Sequence, residues 1–385
     1  MDSRYKLAGL GTSLLKNHSV LNHHLQWARV ELCPSSCLRR SSVTVIIFAQ
    51  NAFLLIRHRR LKKKAMIYQK FKRLILGLAF VAGCSIYAGA AHAQTPARSL
   101  YDPGRIPWTA LSFQAKNFWV KVSTDIHFVS LPAAEIEALL LSSPKGDPIK
   151  PRTPQLSQMT INTLIDPTFR SPVSIYNRIW FNPKDASALG RIRLRRGEDD
   201  FKKIYRFTRQ GVFRHHIEPK DKKEASLAPE NWTDAGDNFY AYDPARLGCS
   251  EITERSLPIY ILSAADPSQM DKPISLCVFG KRQLHHVQLR KEGKQRIKAD
   301  YFEKYPGKSM RIEKEVQALK IAIDAEPMES DLAETESFSF LGLQKDIAIY
   351  IDPATQLPLS ASGIISGIGK VELTLHEAQL KPDKN

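Results

Sequence analysis

The sequence lacks the short motifs by which many enzymes and cofactor-binding proteins are identified. It contains no G-x-S-x-G signature and no H-E-x-x-H or C-x-x-C spacing, so neither a serine nucleophile elbow nor a zinc site is indicated. Residues 363–370 approach a phosphate-binding loop, but Ile364 and Val371 occupy positions that require Gly and Ser or Thr. We interpret this segment as a hairpin whose glycines allow positive φ, and we expect no cofactor.

Repeats of fixed period and low-complexity tracts are also absent from the 385 residues. With 43% hydrophobic and 25% charged residues, the composition is that of an ordinary globular protein. It disfavours wholesale disorder, a collagen-like fibre and a multi-span membrane protein. The length suffices for one large or two ordinary domains.

The net charge of +17 is unevenly distributed along the chain. Residues 1–93 hold 15 of the 56 basic residues but only two of the 39 acidic ones, which leaves +4 for residues 94–385. A basic excess that is confined to one end is better explained by targeting than by nucleic-acid binding. We therefore expect no nucleic-acid partner.

Residues 66–93 have the organisation of a secretory signal peptide. A basic start precedes an apolar stretch at residues 74–90, and Ala91-His92-Ala93 follows in the A-x-A form of a cleavage site. The stretch is interrupted by glycines and is shorter than the ~20 strongly apolar residues of a retained span. We predict cleavage after Ala93 and a periplasmic location.

Two features leave alternatives open at this end of the chain. Val81-Ala82-Gly83-Cys84 resembles a bacterial lipobox, so Cys84 could be lipidated; membrane association is expected only then, or if the signal stays uncleaved. Residues 1–65 contain a second apolar run and a basic cluster. We interpret them as a non-structural extension before the true start at Met66, a real cytoplasmic or membrane-associated extension being the alternative.

Export would leave two cysteines in the mature chain, Cys249 and Cys277. In an oxidising compartment such a pair predicts one disulfide, which closes a loop of roughly 30 residues and contributes about 3 kcal/mol. Two buried thiols are the alternative.

Residues 94–385 consist mainly of short runs of alternating apolar and polar residues separated by turn residues, a pattern typical of antiparallel strands. Residues 111–129 predict one long strand or two strands, and residues 132–141 and 330–335 predict short helices. Residues 221–244 predict a polar loop, where a division into two lobes is an open alternative. Further strands are predicted at 159–165, 174–181, 192–195, 203–208, 211–217, 257–262, 274–279, 284–290, 296–302, 310–315, 319–323, 338–343, 346–351 and 369–379.

The closing passage, residues 342–380, orders its turns and strands as Asp352-Pro353, Gln356-Leu357-Pro358-Leu359, Ser362-Gly363 and Gly367-Ile368-Gly369-Lys370, followed by an alternating strand. It resembles the ends of uncharacterised bacterial periplasmic proteins that are similar in shape to lipoprotein carriers of the LolA and LolB type. The resemblance implies a mainly β fold, with a curved antiparallel sheet or half-barrel and one or two short helices. It also implies binding rather than chemistry, and it carries no functional residue.

The strongest local charge signal lies at residues 191–216, which hold nine basic and three acidic residues. Arg191, Arg193 and Arg195 alternate with apolar residues, which places three guanidinium groups on one face of a strand, and Arg196 follows. Guanidinium groups bind phosphate through paired hydrogen bonds, so these four are candidate anion-binding residues for a lipid headgroup or another envelope anion. A solvent-facing strand whose charges protect a sheet edge is the alternative.

Two further groups of polar residues could carry chemistry. Asp234, Asp237 and Asp243 lie in an aromatic-rich stretch that resembles a sugar-binding lip, although a solvated loop explains them as well. The pairs His215-His216 and His285-His286 can each supply only one ligand to a site, because neighbours in a strand point to opposite faces. We expect no metal.

We therefore predict an exported, non-catalytic protein that binds an apolar or amphipathic envelope component on the concave face of its sheet. Two alternatives remain. One is an envelope hydrolase that uses the three carboxylates, and the other is an anion or lipid-headgroup binder that uses the four arginines.

Overall fold

The computed structural model describes residues 101–116, 120–266, 268, 270–329 and 338–382, all within the unit Gln94–Asn385. The predicted extension, the signal peptide with Cys84 and the helix predicted at 330–335 lie outside the described residues.

Fifteen strands form one sheet, which confirms the mainly β fold. The first eight are β1 Trp108–Lys116, β2 Val120–Pro132, β3 Gln155–Pro167, β4 Val173–Phe181, β5 Ala188–Arg196, β6 Phe201–Phe207, β7 Gly211–Glu218 and β8 Asp234–Ala241. The other seven are β9 Ile252–Glu254, β10 Ile274–Phe279, β11 Leu284–Tyr305, β12 Lys308–Pro327, β13 Lys345–Ile351, β14 Pro358–Ile365 and β15 Gly369–Leu380.

The helical elements of the described residues are short. The α-helices are α1 Ala133–Glu137, α2 Lys222–Ala225 and α3 Pro258–Ala264, and single 3-10 turns lie at Pro103–Arg105 and Pro229–Asn231. The helix predicted at residues 132–141 is confirmed as α1, but it spans five residues. The amides of Leu139 and Leu140 bond three residues back, to Ile136 and Glu137, so the segment ends in tighter turns.

The sheet has the order β8-β7-β6-β5-β4-β3-β2-β1-β15-β14-β13-β12-β11-β10-β9. Neighbouring strands are antiparallel except β9 and β10, which are parallel. The end of β11 also pairs in parallel with the end of β15, through Phe302–Lys304 and Glu377–Gln379. The strands β11 to β15 therefore close on themselves, and the sheet is mixed rather than purely antiparallel.

The alternation expected in β2 is present, because Val120, Val122, Thr124 and Ile126 are buried while the residues between them are more exposed. Residues 111–129 form two strands, β1 and β2, which pair along their length. The hairpin expected at residues 363–370 is confirmed where β14 turns into β15, with positive φ at Gly367 and Gly369.

The strand predicted at residues 257–262 is wrong, because this segment begins the helix α3. All seven residues of α3 are buried, and Pro258 occupies the first turn, where its missing N–H costs nothing. Tyr260 packs against the rings of Tyr101, Phe128 and Phe181. The sheet therefore curves around an apolar helix, which fills part of its interior.

The structure corrects three other predictions. The loop expected at 221–244 contains α2 and the edge strand β8, whose side chains are mostly exposed. The pairs of strands predicted at 284–302 and 310–323 are single strands of 22 and 20 residues, β11 and β12. Residues 338–343 form a tight turn with one bridge, Phe340 to Leu343, and positive φ at Leu341 and Gly342.

Candidate functional site

A row of basic side chains lines the inner face of the sheet on β5, β6 and β7. Arg191 points into the interior, because it is 1% exposed and forms an ion pair with Glu254 of β9 at the far edge of the sheet. Arg193 and Arg195 share its face, as their spacing in the sequence predicts. Since β5 lies between β4 and β6, the alternative of a protected edge strand is wrong.

The register brings further basic residues next to these arginines. Arg193 pairs with Lys203 of β6, and Lys203 pairs with His216 of β7, while Tyr205 lies between Arg191 and Arg214. Like charges directly opposite each other in a sheet are destabilising. The opposed pair of Arg193 and Lys203 is therefore a feature that packing alone does not explain.

Glu254 balances part of this charge. Its carboxylate accepts hydrogen bonds from Arg191 and from the backbone amide of Ser256, 2.6 Å away, and it lies 3.8 Å from the Arg255 guanidinium. Arg191 also lies 4.0 Å above the ring of Tyr205. Burial opposes the charge of Arg191, but Tyr205 and Glu254 together raise its pKa.

Arg193 and Lys203 carry charge without a carboxylate partner within 4 Å among the described residues. Burial, with repulsion from Arg255 and Arg191, lowers the pKa of Arg193 to about 9. Burial, with repulsion from Arg214, Arg193 and Lys281, lowers the pKa of Lys203 to about 8. Both side chains lie over the Phe201 ring, at 5.4 Å and 3.9 Å, and the Nε of Arg193 is buried with no hydrogen-bond partner.

The lowered pKa of Tyr205 indicates the same positive electrostatic potential. Burial alone would raise the pKa of its phenol, but the nearby cations, Arg191 first, then Arg193, Lys203 and Arg255, lower it. A phenol whose pKa is lowered in a buried position indicates a local excess of positive charge.

A cavity of about 90 Å³ adjoins Arg193 and is partly open to solvent. One wall is apolar and comes from the inner face of β2 to β4, from the turn at residues 338–343 and from β14. Arg193 and Arg255 lie on another wall. The apolar side chains of these walls are Val122, Ile161, Ile165, Ile175, Leu341 and Ile365. The inner face thus changes from mainly apolar on β2–β4, where Thr163 and Asn177 are the polar residues at the cavity, to basic on β5–β7, and the cavity lies at the change.

Arg196, the fourth arginine of the sequence prediction, lies on the opposite face of β5. It donates to the backbone carbonyls of Ala225 and Leu227 and lies 5.2 Å from the Trp232 ring. Its contacts hold α2 against the outside of the sheet. The structure therefore brings together Arg191, Arg193 and Arg195 but not Arg196.

The disulfide between Cys249 and Cys277 is present. It joins Cys249, in the segment before β9, to Cys277 in β10. The strands β9 and β10 already pair in parallel through Ile252 and Cys277. The disulfide therefore fixes the edge from which Glu254 reaches Arg191.

The three loop carboxylates do not converge. Asp234 and Asp237 lie three residues apart on β8 and so point to opposite faces. Asp237 accepts a hydrogen bond from the half-buried His215, and Asp243 caps a turn by accepting from the amides of Ala245 and Arg246. A two-carboxylate hydrolytic site is not formed by these residues.

The histidine pairs also lie apart. His285 is buried on β11, and its neighbour His286 bonds to Ser275. No group of three or more histidine, cysteine or carboxylate side chains suited to a metal ion occurs in the described ranges. No helix in the described part of the chain is long and apolar enough to cross a bilayer.

Glu254, Arg255, Lys203 and Arg214 belong to the site but were not singled out from the sequence. Lys203 and Arg214 lie within the basic stretch 191–216, and the strand periodicity would have placed them on the inner face had the register been known. Glu254 and Arg255 carry no such signal, because only the curvature of the sheet brings β9 to β5.

Comparisons with known proteins give little further information. No protein-family model matches the chain, and no curated protein matches it. A solved beta-barrel-like protein of domain of unknown function DUF1849 from Brucella abortus matches with a TM-score of 0.36 and 6% identity, covering 71% of this chain and 96% of that chain. A similarity at this level supports no conclusion about function. The resemblance to LolA- and LolB-type carriers stays a prediction, and the mainly β architecture rests on the strands of this chain itself.

Proposed function

We propose that the protein binds the anionic end of a small amphipathic molecule on the inner face of its sheet. The observation that supports this proposal is the change in polarity across the cavity. Ile161, Ile165 and Ile175 offer an apolar wall on one side, and Arg193 and Arg255 offer guanidinium groups on another. A ligand with an apolar part next to a phosphate or carboxylate matches both surfaces.

Electrostatics favour an anion at this position. Burial, and after it repulsion from neighbouring cations, lowers the pKa of both Arg193 and Lys203. A bound anion would relieve this repulsion and would form charge-assisted hydrogen bonds, which are stronger than neutral ones. The partly enclosed setting strengthens the attraction because solvent screens it less than at an open surface.

The size of the cavity limits the ligand. Its 90 Å³ holds several waters but is smaller than the ~150 Å³ cavity that accepts benzene in another protein. The anionic group and the first few carbons would fill it. A longer apolar chain would extend through the open side.

Equilibrium binding of octyl phosphate, inorganic phosphate and octanol tests the proposal. Octyl phosphate should bind more tightly than either of the other two, because it alone contacts both walls. Arg193→Gln should weaken it about 10- to 100-fold, the equivalent of ~1.5–3 kcal/mol for a hydrogen bond to a charged group.

Lys202→Gln is the matched control, since Lys202 lies on the outer face of β6 and pairs with Glu230. It should bind octyl phosphate as the wild type does. Arg193→Gln removes a repulsive charge, so its melting temperature should not fall. Equal binding of octyl phosphate by Arg193→Gln and the wild type would refute the proposal.

We further propose that the chain is exported and that cleavage after Ala93 releases the β-rich domain. The Cys249–Cys277 disulfide supports this, because structural disulfides are typical of oxidising compartments. Amino-terminal sequencing of the protein from its native cells should begin at Gln94. A start at a lipid-modified Cys84, detected by labelled palmitate, would instead show a membrane-anchored lipoprotein.

A further inference from the structure

We propose that Lys203 reversibly captures small anionic carbonyl compounds as an imine, a covalent reaction that rests on the anion site described above. The substrate class is an aldehyde or ketone that carries a carboxylate or phosphate a few bonds from its carbonyl carbon. Arg193 and Arg255, which line the cavity, would hold the anion. The amine of Lys203, which lies opposite Arg193 on the neighbouring strand and outside the lining of the cavity, would meet the carbonyl.

The position of Lys203 supports this reaction. It lies directly opposite Arg193 in the β5–β6 register, and adjacent strands are ~4.8 Å apart. Its amine lies 3.9 Å from the centroid of the Phe201 ring and forms no ion pair with a carboxylate among the described residues. Its neighbour on the same strand, Lys202, instead pairs with Glu230 on the outer face at 2.8 Å.

The groups around Lys203 favour its neutral, nucleophilic form. Arg193 faces it from β5, Arg214 from β7 and Lys281 from the turn before β11, and all three oppose its charge, while Tyr205 of its own strand favours it. Together with burial they give a pKa of about 8 instead of 10.5. At neutral pH the fraction of uncharged amine is then about 300-fold larger than for an ordinary lysine.

The reaction balances without a cofactor or an oxidant. The nitrogen lone pair of Lys203 adds to the carbonyl carbon, and a proton passes from nitrogen to the carbonyl oxygen to give a carbinolamine. The hydroxyl of the carbinolamine then takes a second proton and leaves as water while the nitrogen lone pair forms the carbon–nitrogen double bond, and loss of the remaining N–H proton gives the neutral imine. A cationic neighbour that lowers the pKa of a lysine is a known way of activating it for this chemistry.

His216 is placed to assist the proton transfers. It lies opposite Lys203 in the β6–β7 register, and burial, together with repulsion from Lys203, lowers its pKa below 6.5. The imidazole is therefore held toward its neutral form, which is the form that can accept a proton. Its Nε2 lies 3.2 Å from the carboxylate of Glu218, which can stabilise the protonated ring.

Reductive trapping tests the inference. The wild-type protein is incubated with glyoxylate and sodium cyanoborohydride, and the labelled lysines are identified by peptide mass spectrometry. Lys203 should be labelled at least tenfold faster than Lys202, with a rate that rises through a midpoint near pH 8. Excess inorganic phosphate should protect Lys203 but not Lys202, and Lys203→Arg should lose the label while it still binds octyl phosphate.

Acetaldehyde, which lacks the anionic group, is the matched control probe and should label Lys203 much more slowly than glyoxylate. Equal labelling of Lys203 and Lys202 by glyoxylate would overturn the inference, even if octyl phosphate binds as proposed. Equal labelling of Lys203 by glyoxylate and acetaldehyde would show that the reaction of its amine does not depend on the anion site. This result would also overturn the inference. Failure of octyl phosphate to bind, with Lys203 labelled selectively by glyoxylate, would instead count against the amphiphile and not against the imine.

Discussion

The buried ion pair between Arg191 and Glu254 can be tested by replacing the carboxylate. Both side chains are 1% exposed, and Glu254 is the carboxylate that pairs with Arg191. Glu254→Gln keeps the shape of the side chain and an oxygen for the amide of Ser256. It leaves the guanidinium buried beside Arg193 and Arg255 with no counter-charge.

The expected loss of stability is large, because removing one partner of a buried ion pair costs about 3–5 kcal/mol. Unfolding of about 290 residues carries an entropy of ~0.6 kcal/mol per degree, from roughly 2.1 cal/mol/K for each residue. The melting temperature of Glu254→Gln should therefore fall by about 5–8 °C.

Calorimetry under oxidising conditions measures this shift against two controls. Glu230→Gln breaks a surface ion pair whose carboxylate is 67% exposed, and it should leave the melting temperature almost unchanged because solvent screens such pairs. The double replacement Arg191→Met with Glu254→Leu removes both charges and should be far less harmful than Glu254→Gln alone.

Glu254→Gln should also tighten the binding of octyl phosphate, because it adds one positive charge to the inner face. A purely structural role for Glu254 would not produce this gain. The reasoning would be refuted if Glu254→Gln melted within about 1 °C of Glu230→Gln.

Three other outcomes are expected. Gly211→Ala should destabilise the protein by about 1–3 kcal/mol, since the new Cβ would lie 2.6 Å from a backbone oxygen of β8. Gly236→Ala on β8, where a Cβ would meet open space, is the control. Equal melting temperatures of the two variants would contradict the prediction. Replacing Cys249 and Cys277 by Ser should cost about 3–4 kcal/mol, from the loop between them of 28 residues in sequence separation, and denaturant unfolding with an unchanged midpoint would argue against it. The pKa of Lys203 is about 8 in the folded protein and 10.5 in the unfolded chain, so the unfolded state binds more protons between these pH values. The free energy of unfolding should therefore rise with pH from about 8 to 10. Lys203→Met should flatten this rise when it is measured by urea midpoints, and an equal rise in the variant would exclude Lys203 as its source.

Much of the fold follows from local patterns in the sequence. The alternation in β2 and the turn residues between strands are properties of a few neighbouring residues, so they predict strands well. The strand prediction at residues 257–262 failed because a short run of apolar and aromatic residues does not distinguish a buried strand from a buried helix. The edge strand β8 was missed because its polar and apolar side chains do not alternate along the strand.

The candidate site was only half predictable for a related reason. Period-2 spacing placed Arg191, Arg193 and Arg195 on one face, and the structure agrees. The direction of that face could not be read locally, because apolar Ile192 and Leu194 are ordinarily the buried set. Here Leu140, in the turn after α1, and the segment held by Arg196 cover the outer face of β5, so Arg191, Arg193 and Arg195 lie on the inner face.

The pairing of β1 with β15 has a consequence for how the chain is made. The hydroxyl of Thr109 donates to the carbonyl of Gln379, which lies 270 residues away, and this pairing joins the strands β8 to β1 to the strands β15 to β9. A growing chain cannot join the two halves until β15 has been synthesised. Loss of β15 alone would divide the sheet in two, so the sheet of the described residues is completed only after β15 is available for pairing.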